Sequence, residues 1–171
     1  MATIENTASN TLLAGTSNDD SIFNGDWLNI DCSGSSKVTI KGGDGNDTIS
    51  NYAAKVIIDG EAGKDYLYNY SSSASLTSIY GGEGEDNISN YGSRCKIYGG
   101  AGADTISNQG SKVTIKGGAG YDLIVNYYSY SSLTAIYGDD GADTISNAWA
   151  SAVTLDGGNG VLMSLRTELP R

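Results

Sequence analysis

The chain has no histidine, one proline, one phenylalanine and two cysteines among 171 residues. Without histidine it lacks the commonest general base and the commonest nitrogen ligand for zinc. No apolar run approaches the roughly 18 residues that a transmembrane helix needs, so no membrane span is expected. Cations are scarce: 10 Lys and Arg stand against 20 Asp and Glu, for a formal net charge of −10. Phosphate binding requires a basic surface that releases counterions, which argues against a nucleic-acid partner. Cys32 and Cys95 are too few for a disulfide scaffold and show no CxxC spacing, so they read as free thiols. The opening MATIENTASNTLLAGTS has no basic segment followed by an apolar stretch, so no ordinary secretory signal is expected. What the chain does have is 24 glycines, 12 tyrosines and a repeat.

One ten-residue frame recurs seven times: GTSNDDSIFN from 15, GGDGNDTISN from 42, GEAGKDYLYN from 60, GGEGEDNISN from 81, GGAGADTISN from 99, GGAGYDLIVN from 117 and GDDGADTISN from 138. An eighth start, GGNG at 157–160, has Leu162 where the aspartate belongs. Successive first glycines are 27, 18, 21, 18, 18, 21 and 19 residues apart. Both 21-residue steps contain matching insertions, NYSSSASLTSIY and NYYSYSSLTAIY, 57 residues apart, as a duplicated three-turn unit would give.

Each repeat alternates two kinds of short strand. After the aspartate comes x-Ile-x-Asn, with Ile49, Leu67, Ile88, Ile106, Ile124 and Ile145 at one fixed place. About ten residues later, apolar residues stand two and four before the next glycine, as in Val38 and Ile40 or Val113 and Ile115. Period-two alternation marks half-buried strands, and two strands per 18 residues describe a chain wound as a flattened, stacked coil. The recurrent asparagine, Asn24 through Asn147, shares the inward side and is expected to form a buried amide ladder. Cys95 falls in the column of Val38 and Val113 and is expected to be buried, with no bond to Cys32. Trp27 and Trp149 break the pattern at opposite ends and read as caps.

The frame GGxGxD places glycines where positive φ is needed and ends on a carboxylate. It offers no nucleophile–base pair and no phosphate lysine, so enzymatic and P-loop readings fail. In an extended loop alternate carbonyls point up and down the stack, and one carboxylate per layer completes an all-oxygen cage. Such a flexible cage suits Ca²⁺, whereas Mg²⁺ demands stricter octahedra.

GGDGNDTIS, GGEGEDNIS, GGAGADTIS and GGAGYDLIV resemble the GGxGxDxUx nonapeptide of the repeats-in-toxin (RTX) family of hemolysin-type calcium-binding proteins. The resemblance covers roughly residues 15–160. It implies an all-β fold, a right-handed parallel β-roll (a β-solenoid) of about seven turns of 18–21 residues with two short strands each. It also implies calcium in the turns and a secreted, extracellular protein exported through a type I system. By the same resemblance Asp47, Asp65, Asp86, Asp104, Asp122 and Asp143 are carboxylate ligands. The first and third loop positions supply carbonyls: Gly42 and Asp44, Gly60 and Ala62, Gly81 and Glu83, Gly99 and Ala101, Gly117 and Ala119, Gly138 and Asp140.

The family spaces its nonapeptide every nine residues; here it comes once per 18 to 21, and the opposite turn reads NYGS, NQGS or a Ser/Tyr insertion. That departure predicts a half-loaded roll with one row of about five Ca²⁺ ions, whose roughly +10 nearly balances the −10. Glu61 replaces a glycine in GEAGKD, where Lys64 puts a cation beside the site, and GTSNDD lacks two glycines, leaving Asp20 outside the ligand set. The expected organisation is an N-terminal cap with a degenerate first repeat at 1–36, calcium-binding repeats at 37–160 and a non-repeat tail at 161–171 that reads as a truncated end.

The leading reading is therefore a calcium-dependent folding module within a larger secreted bacterial protein, and not an enzyme. The alternative is a carbohydrate- or surface-binding module, with a surface glycan as partner to the exposed tyrosines. Whether those tyrosines line one open face or pack against one another discriminates the two.

Overall fold

A computed structural model describes residues 3–6, 12–24, 38–70, 76–127, 133–148, 152–159 and 166–168. The described residues form 17 strands in two sheets, and every pairing is parallel. One sheet holds the odd-numbered strands, in chain order: β1 (Thr3–Asn6), β3 (Ser21–Asn24), β5 (Thr48–Asn51), β7 (Tyr66–Asn69), β9 (Asn87–Asn90), β11 (Thr105–Asn108), β13 (Leu123–Tyr127), β15 (Thr144–Ala148) and β17 (Arg166–Glu168). The other holds β2 (Leu12–Ala14), β4 (Val38–Asp44), β6 (Val56–Ala62), β8 (Ser78–Glu83), β10 (Lys96–Ala101), β12 (Thr114–Ala119), β14 (Thr134–Asp140) and β16 (Val153–Asp156). This is a β-solenoid. From β4 to β15 it makes six coils, each with a full glycine–aspartate loop, and β2 with β3 make a seventh around GTSNDD.

Register places like on like. Ile49, Leu67, Ile88, Ile106, Ile124 and Ile145 stack in one buried column, and Ile40, Ile58, Ile79, Ile97, Ile115 and Ile136 in the facing one. Each contributes about 1.5–3 kcal/mol of apolar burial. A third column runs Val38, Val56, Thr77, Cys95, Val113 and Thr134, so Cys95 is buried where its column foretold. Cys32, Trp27 and Trp149 lie outside the described residues.

The asparagine column is the expected ladder. Asn51, Asn69, Asn90, Asn108 and Asn126 each donate from Nδ2 to Oδ1 of the next layer's asparagine at 2.7–2.8 Å. Asn51, Asn90 and Asn108 also close their own turns, donating to the carbonyls of Ala53, Gly92 and Gly110 and accepting those residues' N–H groups.

The strand ends differ from the sequence reading in two ways. The strands after each aspartate begin one residue later than 47, 65, 86, 104, 122 and 143, because the aspartate belongs to the loop. Of the partner strands expected at 37–41, 55–59, 77–80, 95–98, 112–116 and 152–156, the first five run on through the glycines, as in β4 to Asp44 and β10 to Ala101, while β16 stops at Asp156. The reason is that the loops pair with one another: Gly43 stands opposite Glu61, and Gly100 opposite Gly82 and Gly118.

Candidate metal centre

The glycine–aspartate loops of successive coils stack along one edge of the solenoid. Within each loop the second and fourth residues take positive φ, as at Gly100 (121°) and Gly102 (132°), so the backbone zigzags. The third-position carbonyl faces the preceding layer: Ala62 O, Glu83 O, Ala101 O, Ala119 O and Asp140 O accept from the N–H of Gly45, Gly63, Gly84, Gly102 and Gly120. The first-position carbonyl also faces back, and the second- and fourth-position carbonyls face forward, as the atoms that would crowd an added Cβ at each glycine reveal.

The loop ends on a buried aspartate, and its two oxygens have different surroundings. Oδ1 of Asp47, Asp65, Asp86, Asp104, Asp122 and Asp143 accepts the N–H of the preceding layer's aspartate at 2.7–2.9 Å. Oδ2 of the same six residues is buried without any hydrogen-bond partner. A Cβ placed on Gly42 would overlap both Asp47 Oδ2 and Gly60 O, and Gly60, Gly81, Gly99, Gly117 and Gly138 repeat this arrangement. The first-position glycine therefore leaves a small cradle between a bare carboxylate oxygen and the next layer's carbonyl.

Electrostatics make the cradle unfavourable when nothing positive fills it. Burial raises the Asp65 and Asp104 carboxyls to about 7 and Asp122 to about 6, with neighbouring carboxylates adding to the rise and the accepted N–H opposing it. Burial also raises Asp47 and Asp86. Two carboxylates one strand spacing apart, about 4.8 Å, repel by roughly 3 kcal/mol at an effective dielectric constant of 20. The donor set, one carboxylate per layer amid backbone carbonyls, is all oxygen and fits a hard, flexible cation such as Ca²⁺. Among the described residues no three His, Cys, Asp or Glu side chains cluster, as expected where carbonyls supply most donors.

All eighteen residues read from the sequence lie on this one edge. The six first-position residues and six aspartates converge as described; the third-position carbonyls of Ala62, Glu83, Ala101, Ala119 and Asp140 are engaged by interlayer N–H groups, with one lone pair left on each. Asp20 differs from the six: its Oδ2 accepts from both the N–H and the hydroxyl of Thr16, at 2.6 and 2.9 Å. Lys64 does not sit over its own loop but reaches Glu85 at 3.2 Å. Sequence reasoning missed a recurrent clasp. Glu61 and Asp139 occupy the second position with φ of 72° and 69°, and each meets a lysine of the preceding coil, Lys41 and Lys116. The available signal was a lysine just before one loop and an acid in the second position of the next.

Some of the tyrosines pack against one another, while Tyr66, Tyr121 and Tyr127 are exposed. Tyr52, Tyr70 and Tyr91 stack at centroid distances of 4.8 and 5.6 Å, and Tyr80 on Tyr98 at 4.9 Å. Of these rings Tyr70 is stacked by more than one neighbour, between Tyr52 and Tyr91.

A parallel β-solenoid whose glycine loops line one edge with buried, half-satisfied carboxylates defines a class of repeat protein built around cations. The family profile of the RTX calcium-binding nonapeptide repeat, in 4 copies, matches residues 34–51, 96–108 and 135–148. Over those residues the chain carries repeats of the RTX calcium-binding type. No curated protein and no solved structure matches it.

Proposed function

We propose that this chain is a calcium-binding β-roll module that folds on meeting extracellular Ca²⁺ and serves as a structural, secretion-coupled segment of a secreted RTX-type protein. The observation that carries the reading is the row of six buried Oδ2 atoms, each beside a backbone carbonyl and none with a partner. About five ions in a single row would use the first- and third-position carbonyls and the six aspartates. The row begins at the Gly42 loop, since Thr16 already satisfies Asp20. The module is read as structural rather than catalytic: its carboxylates are spaced by the layers and occupied by backbone, with no nucleophile among them.

The chemistry a bound Ca²⁺ supplies is neutralisation of stacked carboxylates. The chain's own residues hold Oδ1 fixed through the preceding N–H, keep the cradle open with a first-position glycine, and exclude water by stacking. Extracellular modules bind calcium with Kd of roughly 10⁻⁴–10⁻³ M, far above cytosolic levels. Such a chain is unfolded inside the cell and folded outside, which suits type I export. Circular dichroism of an EDTA-washed sample, titrated with Ca²⁺, tests this. Full β-structure and an unchanged melting temperature without calcium would refute it.

A further inference from the structure

The edge opposite the glycine loops has a different chemistry. Its described residues are 52–55, 70, 76–77, 91–95, 109–113, 133 and 152, and none of them is Asp or Glu, although the chain has 20. Fourteen of those 20 acids lie in the seven loop frames of the other edge. The longer crossing at 25–37, which contains Asp26 and Asp31, lies outside the described residues.

Extending the ladder registers by one or two residues aligns one exposed column along this edge: Lys55, Leu76, Arg94, Lys112, Leu133 and Ala152. Leu76 is 53% exposed and Leu133 is 68% exposed, and they sit at the same place in the two duplicated insertions. The four ion pairs among the described residues use Lys41, Lys64 and Lys116, so Lys55, Arg94 and Lys112 enter none of them. Beside the column run Tyr70, Tyr91 and Tyr127, each more than a third exposed.

We propose that this column of exposed Lys55, Leu76, Arg94, Lys112 and Leu133 is a docking strip for an anionic lipid surface. Charge complementarity selects an anionic partner: three cations outside any of the four ion pairs face outward on an edge with no acid among its described residues, while the acidic edge points the other way and orients the rod. The leucines select a lipid surface over a polysaccharide, since exposed leucine gains nothing from a hydrated polymer but inserts at a headgroup boundary, where tyrosine also settles. Tyr70 is stacked against both Tyr52 and Tyr91, so its ring does not offer the open face on which a sugar would lie. The proposal concerns the edge opposite the loops and stands independently of the calcium reading.

The test is co-sedimentation of the full chain, in calcium buffer and shown folded by circular dichroism, with vesicles of phosphatidylcholine or of phosphatidylcholine mixed with phosphatidylglycerol. Binding to the mixed vesicles only is expected. Leu76→Asn/Leu133→Asn should weaken it about tenfold, asparagine being tolerant of the positive φ at residue 76. Arg94→Glu/Lys112→Glu should weaken it about as much and remove most of its salt dependence. Tyr121→Ser, on a 73% exposed tyrosine of the opposite edge, should bind as the parent does. No binding to mixed vesicles, equal binding by the leucine variant, or loss of binding in Tyr121→Ser would each overturn the proposal. So would capture of the chain by a soluble polyuronate without vesicle binding, which would assign the strip to a polysaccharide.

Discussion

The N–H of Asp86 donates to Oδ1 of Asp104 at 2.9 Å, while Oδ2 of Asp104 is buried beside the Gly117 carbonyl with no partner. One oxygen ties a layer to its predecessor; the other accepts no hydrogen bond. Asp104→Asn separates the two roles, because the amide keeps Oδ1 as acceptor and turns an NH₂ toward Gly117 O. Without calcium it should stabilise the fold by about 1–3 kcal/mol, the cost of an unsatisfied buried group. With calcium a hundredfold above Kd it should lose about 2.7 kcal/mol for the vacated site. The β-structure remaining in EDTA, read by circular dichroism, should therefore rise while stability in calcium falls. A fall in both would show that Oδ2 has no part in holding a cation.

Much of this was legible because the repeat fixes columns. The six aspartates, the isoleucine columns, the asparagine ladder and Cys95 each follow from a constant offset to the loop glycine, and register preserves offsets. What the sequence did not reveal depends on contacts between layers. That Asp86 N–H would meet Asp104 Oδ1 rather than water requires the exact stagger of one loop over the next. The Lys41–Glu61 and Lys116–Asp139 clasps run diagonally, two positions off register, where no column reading looks. The strand extension through Gly42 and Gly43 was hidden because glycine ordinarily signals a break, whereas here it permits close stacking of backbone on backbone.

The opposite edge is already filled by its own amides. Asn108 donates to Gly110 O and Asn126 Oδ1, and accepts from Gly110 N–H and Asn90 Nδ2. Asn108→Ala breaks all four at a buried position and should cost roughly 2–4 kcal/mol, at about 1 kcal/mol for each bond. Urea unfolding in saturating calcium measures it. Calcium stoichiometry should stay as in the parent, and a lost ion would place metal on both edges.

Cys95 is buried in the column of Val56 and Val113, with Sγ 3.7 Å from Asn69 Nδ2. In a Cys32→Ser background its thiol should resist a water-soluble thiol reagent in calcium and react readily in EDTA. Equal rates in both would mean that the coil around β10 persists without metal.

The raised carboxyls set the pH response of the calcium-free chain. Asp65 and Asp104 titrate near 7 and Asp122 near 6 in the folded state, against an ordinary value near 3.8. A carboxyl raised by folding favours the fold while it is protonated, so its contribution is complete below the ordinary value and is lost as pH rises through 6 to 7. With EDTA, β-structure should therefore be greater at pH 5 than at pH 8. Calcium reverses the preference, because only the ionised carboxylate binds it, and protons then compete for the same oxygens. Calcium affinity should rise from pH 5 to pH 8 while stability of the metal-free fold falls. Circular dichroism melts at both pH values, with EDTA and with excess calcium, should give curves that cross. If both forms weaken together on acidification, the carboxylates are paired by something other than a cation, and the row of open oxygens does not drive folding.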